Sequence, residues 1–123
     1  TIHVPIGRHP TDRMKMAVNI ANGKDAITHY KVLKRYQKYD YIECRLETGR
    51  THQIRVHMAS IRHPLLGDPI YNPNPNPYKY ELFGQVLHAR SLGFIHPRTG
   101  IYMQFEAKMP EYFTNLLNLL DSQ

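Results

Sequence analysis

Residues 46–71 read Leu-Glu-Thr-Gly-Arg-Thr-His-Gln-Ile-Arg-Val-His-Met-Ala-Ser-Ile-Arg-His-Pro-Leu-Leu-Gly-Asp-Pro-Ile-Tyr. No other stretch of the chain sets so many directional polar groups so close together. Leu46 and Glu47 end a run of alternating character, and Thr48-Gly49 breaks it, with Gly49 free to take a positive φ. A helix is predicted from Thr51 to Ile61, capped by Thr48 or Thr51, because Ile54, Met58 and Ile61 fall at i, i+4 and i+7. Arg55 stands next to that apolar stripe and emerges at the helix edge. Arg50, Thr51, His52 and Gln53 crowd the helix start, where free amides and the dipole already favour an anion. His63-Pro64 and Asp68-Pro69 then force the chain into a loop.

Upstream, residues 26–36 alternate and are rich in β-branched and aromatic side chains, as are 41–47, with a short turn between them. An antiparallel hairpin follows, with Ile42, Cys44 and Leu46 on one face and Glu43, Arg45 and Glu47 on the other. Residues 1–18 scatter Pro5, Gly7 and Pro10 among Arg8, His9, Arg13 and Lys15. They read as an irregular basic arm, balanced between tracking a phosphate backbone and being a solvated loop. Downstream, Asn-Pro-Asn-Pro-Asn-Pro at 72–77 is a stiff, exposed loop elaboration. A second hairpin is expected from 86–95 and 101–107 around a turn at 97–100, and then a terminal helix from Pro110 that buries Phe113, Leu116, Leu117 and Leu120. The expected class is α+β: a mainly antiparallel sheet, a short motif helix and a C-terminal helix.

Composition narrows the function. At 123 residues the chain holds one domain at most, and a net charge of +6 with a pI near 9.6 favours polyanionic partners. The single cysteine, Cys44, cannot form an internal disulfide and lies in an apolar-alternating run, which fits a reducing, cytoplasmic setting. No apolar run approaches the ~20 residues that span a bilayer, so no membrane role is expected. His52 and His57 are five apart and so miss the i, i+4 spacing of a zinc-type pair; no metal site is expected. No serine sits in a nucleophile elbow, and no glycine-rich phosphate loop is present. Nine tyrosines and no tryptophan leave two readings for Tyr30, Tyr36, Tyr39 and Tyr41 beside Lys31, Lys34 and Arg35. They could stack on bases, but half-buried strand aromatics are the favoured account.

Gly49-Arg-Thr-His-Gln-Ile-Arg-Val-His57, followed by His63-Pro64-Leu65-Leu66-Gly67-Asp68 and Tyr71, resembles the last motif of the RluA/RluD-type pseudouridine synthases. The flanks agree in order: Gly23 to Leu33 resembles the strand leading in, Leu87-His88-Ala89 with His96 to Gly100 the closing hairpin, and Pro110 onward the final helix. The resemblance implies the pseudouridine synthase fold. It also implies isomerisation of uridine to pseudouridine in a flipped nucleotide of structured RNA, ribosomal large-subunit RNA first and transfer RNA second, without cofactor or metal. By matching position, Arg55 pairs with the catalytic aspartate of a His-Arg-Leu-Asp motif and Ile54 forms the pocket wall beside the uracil. Arg50, Thr51, His52 and Gln53 line the RNA-facing helix end, joined by Arg8, Arg13 and Lys15 of the basic arm.

The departure from the family is equally specific. The aspartates are Asp12, Asp25, Asp40, Asp68 and Asp121, and none lies in a His-Arg-Leu-Asp context. The expectation is therefore that 1–123 form the C-terminal portion of a catalytic domain, inactive alone and partnered by a missing N-terminal half. Arg55, without its aspartate, should face water, an ion or a neighbour. Asp68 is a tempting replacement, but between Gly67 and Pro69 a turn role is favoured. Two other readings stay open, a non-catalytic RNA-binding module and a structural ribosome-associated domain.

Overall fold

A computed structural model describes residues 1–89 and 107–122, together with the backbone of 91–95 and 102–106. Nine elements follow one another: β1 (Ile2–His3), β2 (Ile6–Arg8), β3 (Met16–Val18), β4 (Ile27–Arg35), β5 (Asp40–Leu46), α1 (Gln53–Ser60), β6 (Ser91–Ile95), β7 (Tyr102–Glu106) and α2 (Glu111–Asp121). All strand pairs among them are antiparallel: β1-β4-β5 make one sheet, and β2–β3 and β6–β7 are separate ribbons. The class is α+β, as the patterning indicates.

The β4–β5 hairpin shows why alternation reads well. Thr28 faces Leu46, Tyr30 faces Cys44 and Val32 faces Ile42 on one side, while His29 opposes Arg45 and Lys31 opposes Glu43 on the other. A register shift between Val32 and Lys34 pushes Leu33 outward, leaving it 44% exposed. Cys44 is half-buried, and burial, helped by Glu43, pushes its thiol up, which suits an inert packing role.

The N-terminal arm is not irregular. Its prolines stand where a missing N–H costs nothing: Pro5 between β1 and β2, Pro10 in the turn before β3. That turn is closed by His9, whose Nδ1 accepts the N–H groups of Thr11 (3.2 Å) and Asp12 (3.0 Å). The basic stretch is thus a folded hairpin with Arg8 and Arg13 exposed at its surface and Lys15 half-exposed.

Helix α1 departs from its expected form in three ways. It starts later, at Gln53, and neither Thr48 nor Thr51 caps it; His52 occupies the N-cap in the left-handed region, φ 56°. The positive φ expected of Gly49 falls on His52 instead. Finally, of the expected apolar stripe only Met58 is buried. Gln53, Arg55, Val56, His57 and Met58 are all buried, and Ile54 and Ile61 are only partly covered. An amphipathic pattern suits a helix wet on one side. This one is covered on several sides, so its inward polar groups must find partners within the protein.

They do. Gln53 makes all four of its hydrogen bonds: Nε2 donates to Ile27 O and Thr28 Oγ1 (both 3.0 Å), and Oε1 accepts from Thr48 Oγ1 (2.7 Å) and Arg50 N (3.0 Å). Thr48 Oγ1 in turn accepts the Ile27 N–H. Fully buried His57 extends the chain of bonds. Its Nε2 lies 2.9 Å from Val4 O, which can only accept, so in the neutral ring Nδ1 is the acceptor for the Thr28 hydroxyl at 2.7 Å. The network riveting α1 to the strands takes the place of a capping threonine.

The described residues form two small cores, one of them under this helix. Ile6, Ala26 and Val56, with Met16 and Tyr71, pack beneath α1. Tyr80, Leu116 and Leu120, with Tyr36, Tyr39, Leu66, Leu82 and Val86, pack beneath α2. Phe113 is buried too and Leu117 is half-buried, so the terminal helix presents the expected face, entered from Pro110 at the N-cap. Tyr36, Tyr39 and Tyr41 are thereby engaged in packing, Tyr41 against Phe113 and Tyr39 against Tyr78 and Tyr80. Burial, then Tyr80 and Tyr78, raises the Tyr39 hydroxyl pKa. These are structural aromatics; Tyr30 remains 39% exposed. The closing strand is shorter than residues 86–95, and the turn expected at 97–100 lies outside the described residues.

Between the cores runs the loop after α1. The Asn-Pro repeat braces it: Asn72 Nδ2 donates to Leu65 O, and Asn76 bonds both the N–H and the C=O of Tyr80. Gly67, at φ 80°, donates its N–H to Pro75 O at 2.7 Å, and Val86 N–H reaches Leu66 O at 2.8 Å. This clasp sets the position of Asp68.

Candidate active site around Arg55

Of the settings expected for Arg55, the structure shows a neighbour. Its side chain is 9% exposed and forms a two-pronged ion pair with the fully buried Asp68, Nε to Oδ2 at 2.8 Å and Nη2 to Oδ1 at 2.9 Å. The same Oδ1 accepts the N–H groups of Ile70 (3.0 Å) and Tyr71 (3.2 Å), so Asp68 does make the expected turn while also holding the arginine. Burial alone would raise the Asp68 carboxyl; the hydrogen bonds from Arg55 and from the Ile70 and Tyr71 amides more than offset it and hold it below the usual carboxylate range. Hydrogen bonding to Asp68 likewise raises the Arg55 pKa against the effect of burial.

Tyr71 covers one face of this pair, its ring centroid 5.0 Å from the Arg55 guanidinium carbon. Its hydroxyl accepts the Met16 N–H at 2.9 Å, which leaves its proton for His52 Nδ1 at 2.6 Å. The rings of Tyr71 and His52 meet edge to face at 5.4 Å. One tyrosine therefore connects the basic hairpin, the helix start and the arginine. A non-glycine residue in the left-handed region costs on the order of 1 kcal/mol or more, and the Tyr71 bond holds His52 there.

Burial, then the Arg55 charge, lowers the His52 pKa, with Asp68 opposing. A group depressed in the folded state binds its proton more readily when unfolded, so stability is full above about pH 6.5, the ordinary histidine value, and declines as pH falls below it. His52→Asn keeps a residue tolerant of positive φ but does not titrate. The drop in Tm between pH 7.5 and pH 5.5 should therefore be smaller in this variant than in wild type. Equal drops would remove His52 from the linkage.

Of the residues singled out from sequence, the structure places Arg55, His52 and Arg50 around one helix end, with Arg50 Nε donating to Asp25 O at 2.8 Å. Thr51 is exposed and Ile54 half-exposed beside them. Gln53 is different: it is 3% exposed, and its amide is fully occupied by the protein, so its place is inside the fold and not on an RNA-facing surface. Arg8 and Lys15 lie on the hairpin that Met16 ties to Tyr71. Sequence reasoning gave Asp68 and Tyr71 no role at the arginine, because a contact thirteen or sixteen residues away depends on the path of the loop. Among the described residues there is no cluster of metal-ligating side chains.

Residues 1–60 match the RNA pseudouridylate synthase family. An uncharacterized RNA pseudouridine synthase of Bacillus subtilis, YlyB, is 52% identical over 98% of this chain and 38% of its own length. The ribosomal large subunit pseudouridine synthase D of Escherichia coli K12 is 45% identical over 98% of this chain and 40% of its own length. The chain belongs to this family. By descent it is of the RluA/RluD type. It spans about two fifths of the length of these relatives. A solved structure, human RNA pseudouridylate synthase domain containing 1, superposes with a TM-score of 0.70 over 99% of this chain and 59% of that one. At 24% identity it establishes the shared fold. No helix among the described residues is long and apolar enough to cross a membrane.

Proposed function

We propose that these residues form the arginine-bearing, C-terminal portion of a catalytic domain that converts uridine to pseudouridine in structured RNA, with ribosomal large-subunit RNA the leading substrate and transfer RNA the second. The observation that carries this reading is the state of Arg55. Asp68 takes Nε–H and one Nη2–H, which leaves three N–H groups, and among the described residues no other hydrogen bond or ion pair reaches the side chain. No buried side-chain nitrogen or oxygen among the described residues lacks a partner, so the Nη1 edge must be the part of Arg55 open to the surroundings. A planar fork with one edge anchored and the other presented is suited to a second carboxylate. That carboxylate is the aspartate of the His-Arg-Leu-Asp motif, supplied from outside these residues by the N-terminal half of the domain.

In the reaction the flipped nucleotide sits against that aspartate, the glycosidic bond breaks, and the uracil rejoins the sugar through carbon. Arg55 holds the aspartate ionised and oriented, and Ile54 lines the pocket at the uracil. Every bond is remade within one nucleotide, so the chemistry calls for no cofactor or metal. Arg50, Thr51 and His52 at the helix start, with Arg8, Arg13 and Lys15 on the hairpin, contact the RNA backbone. This work belongs in the cytoplasm, where the half-buried, inert Cys44 is at home.

The test is pseudouridine formation by the full-length protein on structured ribosomal RNA. Turnover supports the reading; RNA binding with no pseudouridine under any substrate condition would leave a non-catalytic RNA-binding module. Binding itself has an expected signature. Arg13→Gln with Lys15→Gln should lower the slope of log affinity against log salt by about 2, about 1 for each cation withdrawn from a phosphate, with little change among RNA sequences. An unchanged slope would take the hairpin out of the RNA interface.

A further inference from the structure

We propose that Asp68 is a positioning residue for the isomerisation, the fixed carboxylate that aims Arg55 at the catalytic aspartate. The inference rests on the function proposed above and extends it to a residue that does not touch the RNA. A guanidinium at the edge of a cleft can swing about its side-chain torsions, and an ion pair made through a swinging donor loses orientation. Here two of its nitrogens are fixed by parallel bonds of 2.8 and 2.9 Å, one face is covered by Tyr71, and the carboxylate that grips it is itself held by two backbone amides. Asp68 is 0% exposed, so it cannot serve as a second catalytic carboxylate facing a substrate in this arrangement. Its place is between the Gly67 clasp and the arginine, and it carries the rigidity of the loop to the open Nη1 edge. The carboxyl also stays ionised into acid, so the clamp does not titrate in the working range.

The group that distinguishes this role from general stability is the guanidinium itself, which can be removed and added back. In the full-length protein, Arg55→Ala removes turnover and leaves a cavity bordered by Asp68. Millimolar ethylguanidinium should then restore pseudouridine formation saturably, because the Asp68 carboxylate re-forms both bonds to it. In Arg55→Ala/Asp68→Asn, where the amide offers a donor in place of one acceptor, rescue should fall at least tenfold. This double variant removes both buried charges together, so it avoids the uncompensated charge that the single Asp68→Asn leaves. Where Asp68→Asn alone folds, as judged by circular dichroism, kcat should fall about 10²-fold with KM for RNA within about twofold, the pattern of a misaimed group. Equal rescue with and without Asp68, or an Asp68→Asn kcat within twofold of wild type, overturns the proposal. A folded wild-type protein that makes no pseudouridine overturns instead the reading beneath it.

Discussion

Arg55→Ala in the full-length protein is expected to lower kcat for pseudouridine formation by at least about 10³-fold, with RNA affinity changed less than about threefold. The split follows from where the side chain sits. Its two anchored nitrogens face Asp68 and its open edge faces the proposed catalytic carboxylate, so neither contributes much to holding a polyanion. Under the proposed function, RNA affinity comes instead from cations such as Arg8 and Arg13, which are exposed and which the substitution does not touch. Single-turnover measurements at saturating enzyme would show the reduced rate directly, and filter binding the retained affinity. A rate near wild type would remove Arg55 from the mechanism. The substitution also strands a buried carboxylate. Removing one member of a buried pair costs about 3–5 kcal/mol, reduced here because Asp68 keeps the amides of Ile70 and Tyr71, so assays belong well below the variant's melting temperature.

The second large effect concerns folding. Gly67→Ala is expected to destabilise the protein by about 3 kcal/mol or more, lowering Tm by on the order of 10 °C. Gly67 has φ 80°, a region costly for a side chain, and a Cβ there would stand 2.1 Å from the carbonyl oxygen of Gly84. That oxygen is backbone and cannot swing aside, so the two loop segments must part. Parting them moves Asp68, the next residue, away from Arg55. Gly84→Ala is the control: its φ of 126° is also unfavourable, but a Cβ there meets nothing within 4 Å, so its drop in Tm should be smaller. Calorimetry on both variants decides the matter; equal and small drops would show that the clasp is not rigid.

The division between what could be read and what could not follows the range of the forces involved. Alternation over 26–36 and 41–47 placed β4 and β5 to within a residue or two, since a period of two depends only on which side of the pleat each side chain takes. The apolar spacing of Phe113, Leu116 and Leu120 placed the buried face of α2, because that helix is wet on its other side. The same rule misread α1. Of Ile54, Met58 and Ile61 only Met58 is buried, while the polar Gln53 and His57 are buried too, and only a tertiary network with Thr28, Ile27 and Val4 makes that stable. The arm at 1–18 looked irregular because its prolines and glycine punctuate strands of two or three residues, too short to show alternation: β1 pairs with the distant β4, and β2 with β3 across the turn at Pro10.

By itself the sequence determined the α+β class, the basic character, the motif from Gly49 to His57 and the family to which it belongs, because each depends on residue identity and near-neighbour spacing. Only the tertiary structure decided what Arg55 does in this chain. Its partner is neither water nor a free ion but Asp68, brought across thirteen residues by a loop locked at Gly67 and roofed by Tyr71. A buried charge is tolerated only where an opposite charge and hydrogen bonds meet it, and where they meet is set by the path of the backbone through space.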